Sequence, residues 1–377
     1  VSDFTLSEVQ ERTYKSKDAW WTVYLVDPLA SRLVVVAANR TSLTPNQLTL
    51  AALALGLGAA GCFAMASWPW LLAGALLFHL SFVLDCMDGK VARLKGNGTI
   101  FGSWLDYVFD RLRVLVCALA LMGSQYVITG DQTFIWFAFG IVATDMFRYL
   151  NGPQMAKVRS GMRKRIARAI REAEQTSENE GQTALALREG HRLTSTLTAQ
   201  QNDEVVDPEE GHGADREGDG TTYATASHPR EESATQGTSA EVTRVQATEL
   251  QRRFFTRFPW YAHFRDGLMR RRVRPHLVSG IEFQMGTFII APIVGTVSTP
   301  GMLAVIALSA AGMLAFEALL VYKLWLSTKE FTRVVEAIEA ASPPVEDADA
   351  PATTGTAETQ WEDGDVANAT VVATRQR

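Results

Sequence analysis

Between Asp85 and Asp110 the chain sets Asp85, Asp88, Gly89, Ala92, Arg93, Gly102, Asp106 and Asp110 at fixed spacings between two apolar runs. On a helix turning about 100° per residue, positions three, four and seven apart share a face, so Asp85, Asp88, Gly89 and Ala92 form one stripe, bordered by Arg93. Gly102, Asp106 and Asp110 form a second stripe on the next helix, with the glycine leaving room for a close neighbour. Carboxylates brought together in a low-dielectric setting repel unless a positive charge sits among them. All-oxygen ligands favour Mg²⁺, Mn²⁺ or Ca²⁺ over Zn²⁺. Four carboxylates exceed what one hard ion usually takes. The pattern therefore points to a pair of ions, an arrangement that clamps both oxygens of a phosphoryl displacement.

The order Asp85-x2-Asp88-Gly89-x2-Ala92-Arg93-x8-Gly102-x3-Asp106-x3-Asp110 resembles the signature of the CDP-alcohol phosphatidyltransferases at every defined position. The resemblance implies displacement at the β-phosphorus of a CDP-alcohol, commonly CDP-diacylglycerol, by a hydroxyl, with release of CMP. It also implies Mg²⁺ or Mn²⁺, as two ions, on Asp85, Asp88 and Asp106, with Asp110 as a further ligand or as the catalytic base. Gly89, Arg93, Thr99, Asn46 and Thr49 are implied to contact the nucleotide. Small polyols, polyol phosphates and lipid alcohols all remain open as acceptors. Asp145, Arg148 and Glu282 are nominated for the acceptor pocket. Arg111, Arg113, Lys157 and Arg159 read equally as acceptor contacts or as ordinary residues of a positive loop side.

The elements that must position these residues are membrane helices. Apolar residues make up 47% of the 377-residue sequence, yet the mean hydropathy is near zero, so strongly apolar and strongly polar runs cancel. The net charge of −5 is likewise an average over segregated segments, and no nucleic-acid partner is indicated. Cys62, Cys86 and Cys117 lie in apolar stretches without metal-type spacing, so they read as small buried hydrophobes. No cleavage pattern accompanies the first apolar run, and no signal peptide is expected.

Residues 1–43 are expected to form a segment with an interfacial amphipathic helix, edged by Trp20, Trp21, Arg32 and Arg40. Residues 44–158 then hold four spans. The first starts at a Thr44-Pro45 cap and runs to Ala66, the second begins near Trp70, the third carries Asp106 and Asp110, and the fourth runs from Phe134 to about Leu150. A basic helix followed by a disordered insertion is expected over 159–250, since Tyr223 is the only aromatic between Tyr149 and Phe254 and little core can form. Residues 251–276 read as a basic, aromatic interfacial helix. Two more spans, Leu277 to Val297 and Met302 to Tyr322, fill 277–326, and residues 327–377 form a mostly disordered tail.

The expected fold is thus all-α and integral to the membrane, with six transmembrane helices plus the N-terminal interfacial helix. The connections on one side carry only Asp131 as a charge. The positive-inside rule then makes the motif side cytoplasmic, in a multi-pass protein of the cell membrane surrounded by membrane lipids. A homodimer is compatible with this plan. A divalent-cation transporter is the competing class, because ionisable residues within a membrane are functional by default. Transport, however, gives no reason for Gly89, Ala92 and Arg93 beside the acids, whereas a bulky pyrophosphate nucleotide does.

Overall fold

The computed structural model describes residues 4–176, 180–204, 267–274 and 278–341. These are helical, with no strand among them and one isolated β-bridge, Asp18 to Val273. We number the helices α1 (Leu6–Thr13), α2 (Thr22–Arg40, opening with a π turn), α3 (Pro45–Ala64), α4 (Trp68–Lys95), α5 (Ile100–Thr129), α6 (Thr133–Thr176), α7 (Glu180–Glu204), α8 (Gly280–Gly295) and α9 (Thr299–Ala341). The expected tail beyond Ser342 and most of the expected 251–276 helix lie outside the described residues.

Local chemistry sets the helix ends around the motif. Thr44 and Gln47 form a reciprocal capping box with Pro45 in the first turn, which fixes the start of α3. Gly96, at φ 63°, ends α4 in the left-handed conformation that glycine adopts without a Cβ penalty. Thr99 accepts from the Gly102 N–H at 3.0 Å and opens α5. The turn between the two acidic stripes is therefore written in three residues.

Six helices are long and apolar enough to cross a membrane: α2, α3, α4, α5, α6 and α9. The number matches expectation, and the expected first to fourth and sixth spans are among them. The expected fifth span, 277–297, is α8, whose 16 residues cover about 24 Å against a hydrocarbon layer of about 30 Å. It contains a π turn at Gly286–Ile290 and is buried from Glu282 to Ile289, with Phe288 packed on Phe78 at 4.8 Å between ring centroids. Helix α8 thus packs its first half into the bundle beside the second cleft, while Ile290 and Ile293 stay exposed. The segment expected at the interface, α2, also has the length and composition of a span.

Helices α6 and α9, of 44 and 43 residues, outrun any bilayer. Their C-terminal halves leave on the motif side and close with α7 into a second core of Met162, Ile166, Ile170, Leu193, Leu197, Val334 and Ile338. This corrects the expectation of disorder over part of 159–250. The apolar positions of α7 recur at three and four residues, and side chains far away in sequence cover them.

Candidate active site

Helices α3, α4 and α5 bring the two acidic stripes together, and two clefts open on either side of them. Gly89 and Asp106 stand in the shared wall. One cleft is lined by Asn46, Thr49, Asp88, Ala92, Thr99 and Gly102. The other is lined by Asp85, Arg93, Asp106 and Asp110, together with Lys15, Lys90, Tyr149 and Gln284. Every residue nominated for the nucleotide lines one of the two. Asn46, Thr49 and Thr99 share the first, Arg93 faces the second, and Gly89 borders both.

Close approach explains Gly102. A Cβ at that position would stand 2.6 Å from Asn46 Oδ1 and 3.0 Å from Thr99 Oγ1, so any larger residue pushes on the cleft wall. Asp88 is 3% exposed and accepts from the Thr49 hydroxyl, a bond that ties α3 to α4.

The other carboxylates are held by arginines. Arg113 donates to Asp110 Oδ1, to Asp85 Oδ1 at 3.3 Å and to Ser81 Oγ at 3.0 Å. Arg111 bonds Asp145, lies 3.5 Å from Asp110 Oδ2 and stacks over the Tyr149 ring. Both guanidiniums are buried. Reading them as ordinary loop-side positive charges is therefore corrected.

The nominated acceptor residues separate. Asp145 is engaged by Arg111 and by Gln284 Nε2 at 3.2 Å, and Gln284 itself lines the second cleft. Arg148 turns away to Glu317 at 2.9 Å, where Asn151 also donates at 2.6 Å. Glu282 completes the capping box of α8 through the N–H and hydroxyl of Ser279. Neither Arg148 nor Glu282 lines the two clefts.

The outer wall of the second cleft comes from the N-terminal segment, through Thr13, Tyr14, Lys15, Asp18, Thr22 and Asp27. Asp27 holds Lys90 at 3.0 Å and Arg272 at 3.2 Å. Arg272 also donates to the Lys15 carbonyl at 3.1 Å and stacks on Tyr14. Backbone hydrogen bonds pair Asp18 with Arg272 and Arg274, so residues 267–274 strap this wall in place. Sequence reasoning missed Lys15, Lys90, Gln284 and Ser81. Lys90 and Ser81 carried a signal, since one lies inside the motif and the other four residues before Asp85, on the same helix face.

A divalent ion fits this site by type of donor. Asp85, Asp106 and Asp110 line one cavity, and all offer hard carboxylate oxygens. Among the described residues, however, no three His, Cys, Asp or Glu side chains stand grouped to hold an ion. Arg113, bonded to both Asp85 and Asp110, occupies that relation.

Fold and site define a polytopic α-helical membrane protein with an acid-lined, cation-rimmed pair of clefts at one end of its bundle. Residues 42–170 match the CDP-alcohol phosphatidyltransferase family and form a domain of that family. The chain is similar to the phosphatidylinositol phosphate synthase of Mycolicibacterium smegmatis, 40% identical over 95 residues, covering 24% of this chain and 41% of that protein. It is 36% identical over 88 residues to the enzyme of the same name from Corynebacterium glutamicum, covering 23% and 37%. Against the archaetidylinositol phosphate synthase of Methanothermobacter thermautotrophicus it is 30% identical over 105 residues, covering 27% and 52%. The chain thus spans between 37% and 52% of the length of these relatives.

Proposed function

We propose that the chain transfers a phosphatidyl or related phospho-alcohol group from a CDP-alcohol, such as CDP-diacylglycerol, to a hydroxyl acceptor, and releases CMP. The observation that carries this reading is the wall shared by the two clefts, in which Gly89 and Asp106 face both. A transfer between two substrates needs two adjoining sites that meet at the reacting phosphorus.

Asn46, Thr49 and Thr99 offer polar side chains to the nucleoside end in the first cleft. Arg93 and Lys90, with Lys15 opposite, offer positive charge to the pyrophosphate and to an anionic acceptor. Asp110 takes the proton of the acceptor hydroxyl. The acceptor oxygen then bonds to the β-phosphorus as the bond from that phosphorus to the CMP oxygen breaks. Two divalent ions, held by Asp85, Asp88 and Asp106 with Asp110 as a further ligand beside its role as base, would supply charge neutralisation on the pyrophosphate and on departing CMP. The names of the relatives make an inositol phosphate the first acceptor to try. The basic motif side supports a cytoplasmic site in the cell membrane, and the Asp27 to Lys90 anchor, beside the motif, supports an interfacial α2.

The test follows CMP release from labelled CDP-diacylglycerol by purified protein with Mg²⁺ or Mn²⁺, across a panel of acceptors with lipid products read by mass. Activity lost in Asp85→Ala and Asp106→Ala is the expected result. Absence of CMP release under every acceptor, with Mn²⁺ uptake into proteoliposomes, would replace the transferase by a transporter.

A further inference from the structure

Arg113 lies outside the eight-residue pattern, yet three helices are shaped around it. It heads the largest side chains buried below 2% exposure. Its stem passes Gly56 of α3, where a Cβ would stand 2.7 Å from both its Cγ and its Cδ. Ser81 of α4 accepts from its guanidinium at 3.0 Å, and the Ser81 hydroxyl is fixed in turn by donating to the Ala52 carbonyl at 2.6 Å. The same guanidinium then reaches Asp85 on α4 and Asp110 on its own helix. A gap, an anchored acceptor and two carboxylates make a slot for a planar, permanently charged fork.

We infer that Arg113 is a resident counter-cation for the Asp85 and Asp110 pair, a positioning residue that fixes both carboxylates and competes with the divalent ion for them. The inference rests on the transferase reading in taking these aspartates as ion ligands. Without an ion, the guanidinium keeps two carboxylates from repelling in a low-dielectric site. Toward an arriving ion it is a like charge a few ångströms away, and it lowers the affinity. Its two effects have opposite signs. Removing it tightens ion binding, yet frees Asp110 from the position that proton transfer requires. A merely structural residue would lower both.

The experiment measures Mn²⁺ binding to the purified full chain without substrates, by electron paramagnetic resonance of the free ion, beside kcat for CMP release. Arg113→Gln is expected to tighten Mn²⁺ binding by about tenfold or more, as loss of a nearby like charge implies, while kcat falls. Arg113→Lys keeps the charge and is expected to retain an ion affinity within about threefold of the parent, with lower kcat because the fork is lost. Ser81→Ala leaves the guanidinium but removes one anchor, and tightens Mn²⁺ by about two- to threefold.

A folded Arg113→Gln protein whose Mn²⁺ affinity is unchanged or weaker overturns the inference. Should that variant fail to fold, unchanged affinity in Ser81→Ala overturns it instead. Asp106→Asn separates the two readings. Binding lost in Asp106→Asn but unmoved by the Arg113 and Ser81 variants sinks only the counter-cation, whereas a parent protein that binds no Mn²⁺ sinks the ion site and the counter-cation together.

Discussion

Arg113 and Arg148 both lie buried beside carboxylates in this bundle, and the chain treats them in opposite ways. Arg148 and Glu317 close on each other. The arginine takes one carboxylate oxygen, Asn151 takes the other, and both ionic side chains are under 5% exposed. Arg113 also bridges carboxylates, but its partners Asp85 and Asp110 keep 15% and 21% of their side-chain surface open and face a cavity. The sealed pair has both of its carboxylate oxygens committed to the fold. A pair left open on one side retains lone pairs for a third participant.

The contrast can be broken most forcefully at Asp106, in the shared wall. Asp106→Asn should lower turnover by about 10²- to 10³-fold, the usual loss when one electrostatic contact to the reacting centre is removed, read as CMP release per folded molecule. The sealed pair should respond in stability instead. Glu317→Ala strands Arg148 and should destabilise the bundle by about 3 kcal/mol, seen as a lower Tm in detergent, with kcat retained in the folded fraction. If Glu317→Ala abolished CMP release at an unchanged Tm, the division between sealed and open pairs would collapse.

Smaller changes sharpen the same line. Gly102→Ala pushes its Cβ onto Asn46 and Thr99, and strain of about 1–2 kcal/mol there should raise KM for the CDP-alcohol by about tenfold with a lesser change in kcat. Thr49→Val loses the hydroxyl that holds Asp88. A net loss of about 1 kcal/mol should cost about fivefold in kcat/KM and leave Tm within a few degrees.

What could be read in advance was whatever the chain writes locally. The Thr44-Pro45 start, the Gly96 stop, the Thr99 cap and the eight-residue pattern all depend on neighbours within a turn or two, and each stands where the letters place it. Ion pairing across the bundle was invisible. Arg148 and Glu317 are 169 residues apart, and nothing in either segment names the other. That is why Arg148 looked like an acceptor contact. Arg113, three residues after Asp110, could have been paired by helix spacing alone, but positive residues near span ends have a topological explanation that hides a specific one.

Helix α7 was missed for a different reason. With no aromatic side chain, its seam of Ala186, Gly190, Leu193 and Leu197 looks too thin for a core. It becomes one only because Ile170 and Ile338 approach Gly190 closely, each placing its Cδ1 3.1 Å from where a Cβ would be. The apolar run of α8 suits lipid and protein alike: it is buried from Glu282 to Ile289, while Ile290 and Ile293 stay exposed.

The strap from residues 267–274 carries a consequence for how the protein is made. Arg272 meets the Lys15 carbonyl across 257 residues of sequence, and Val273 bridges to Asp18. On the ribosome helices α3 to α6 can enter the bilayer while this partner is still untranslated. The pocket therefore gains its final side only after most of the polypeptide has emerged, and nascent chains halted before Arg272 should be inserted yet inert.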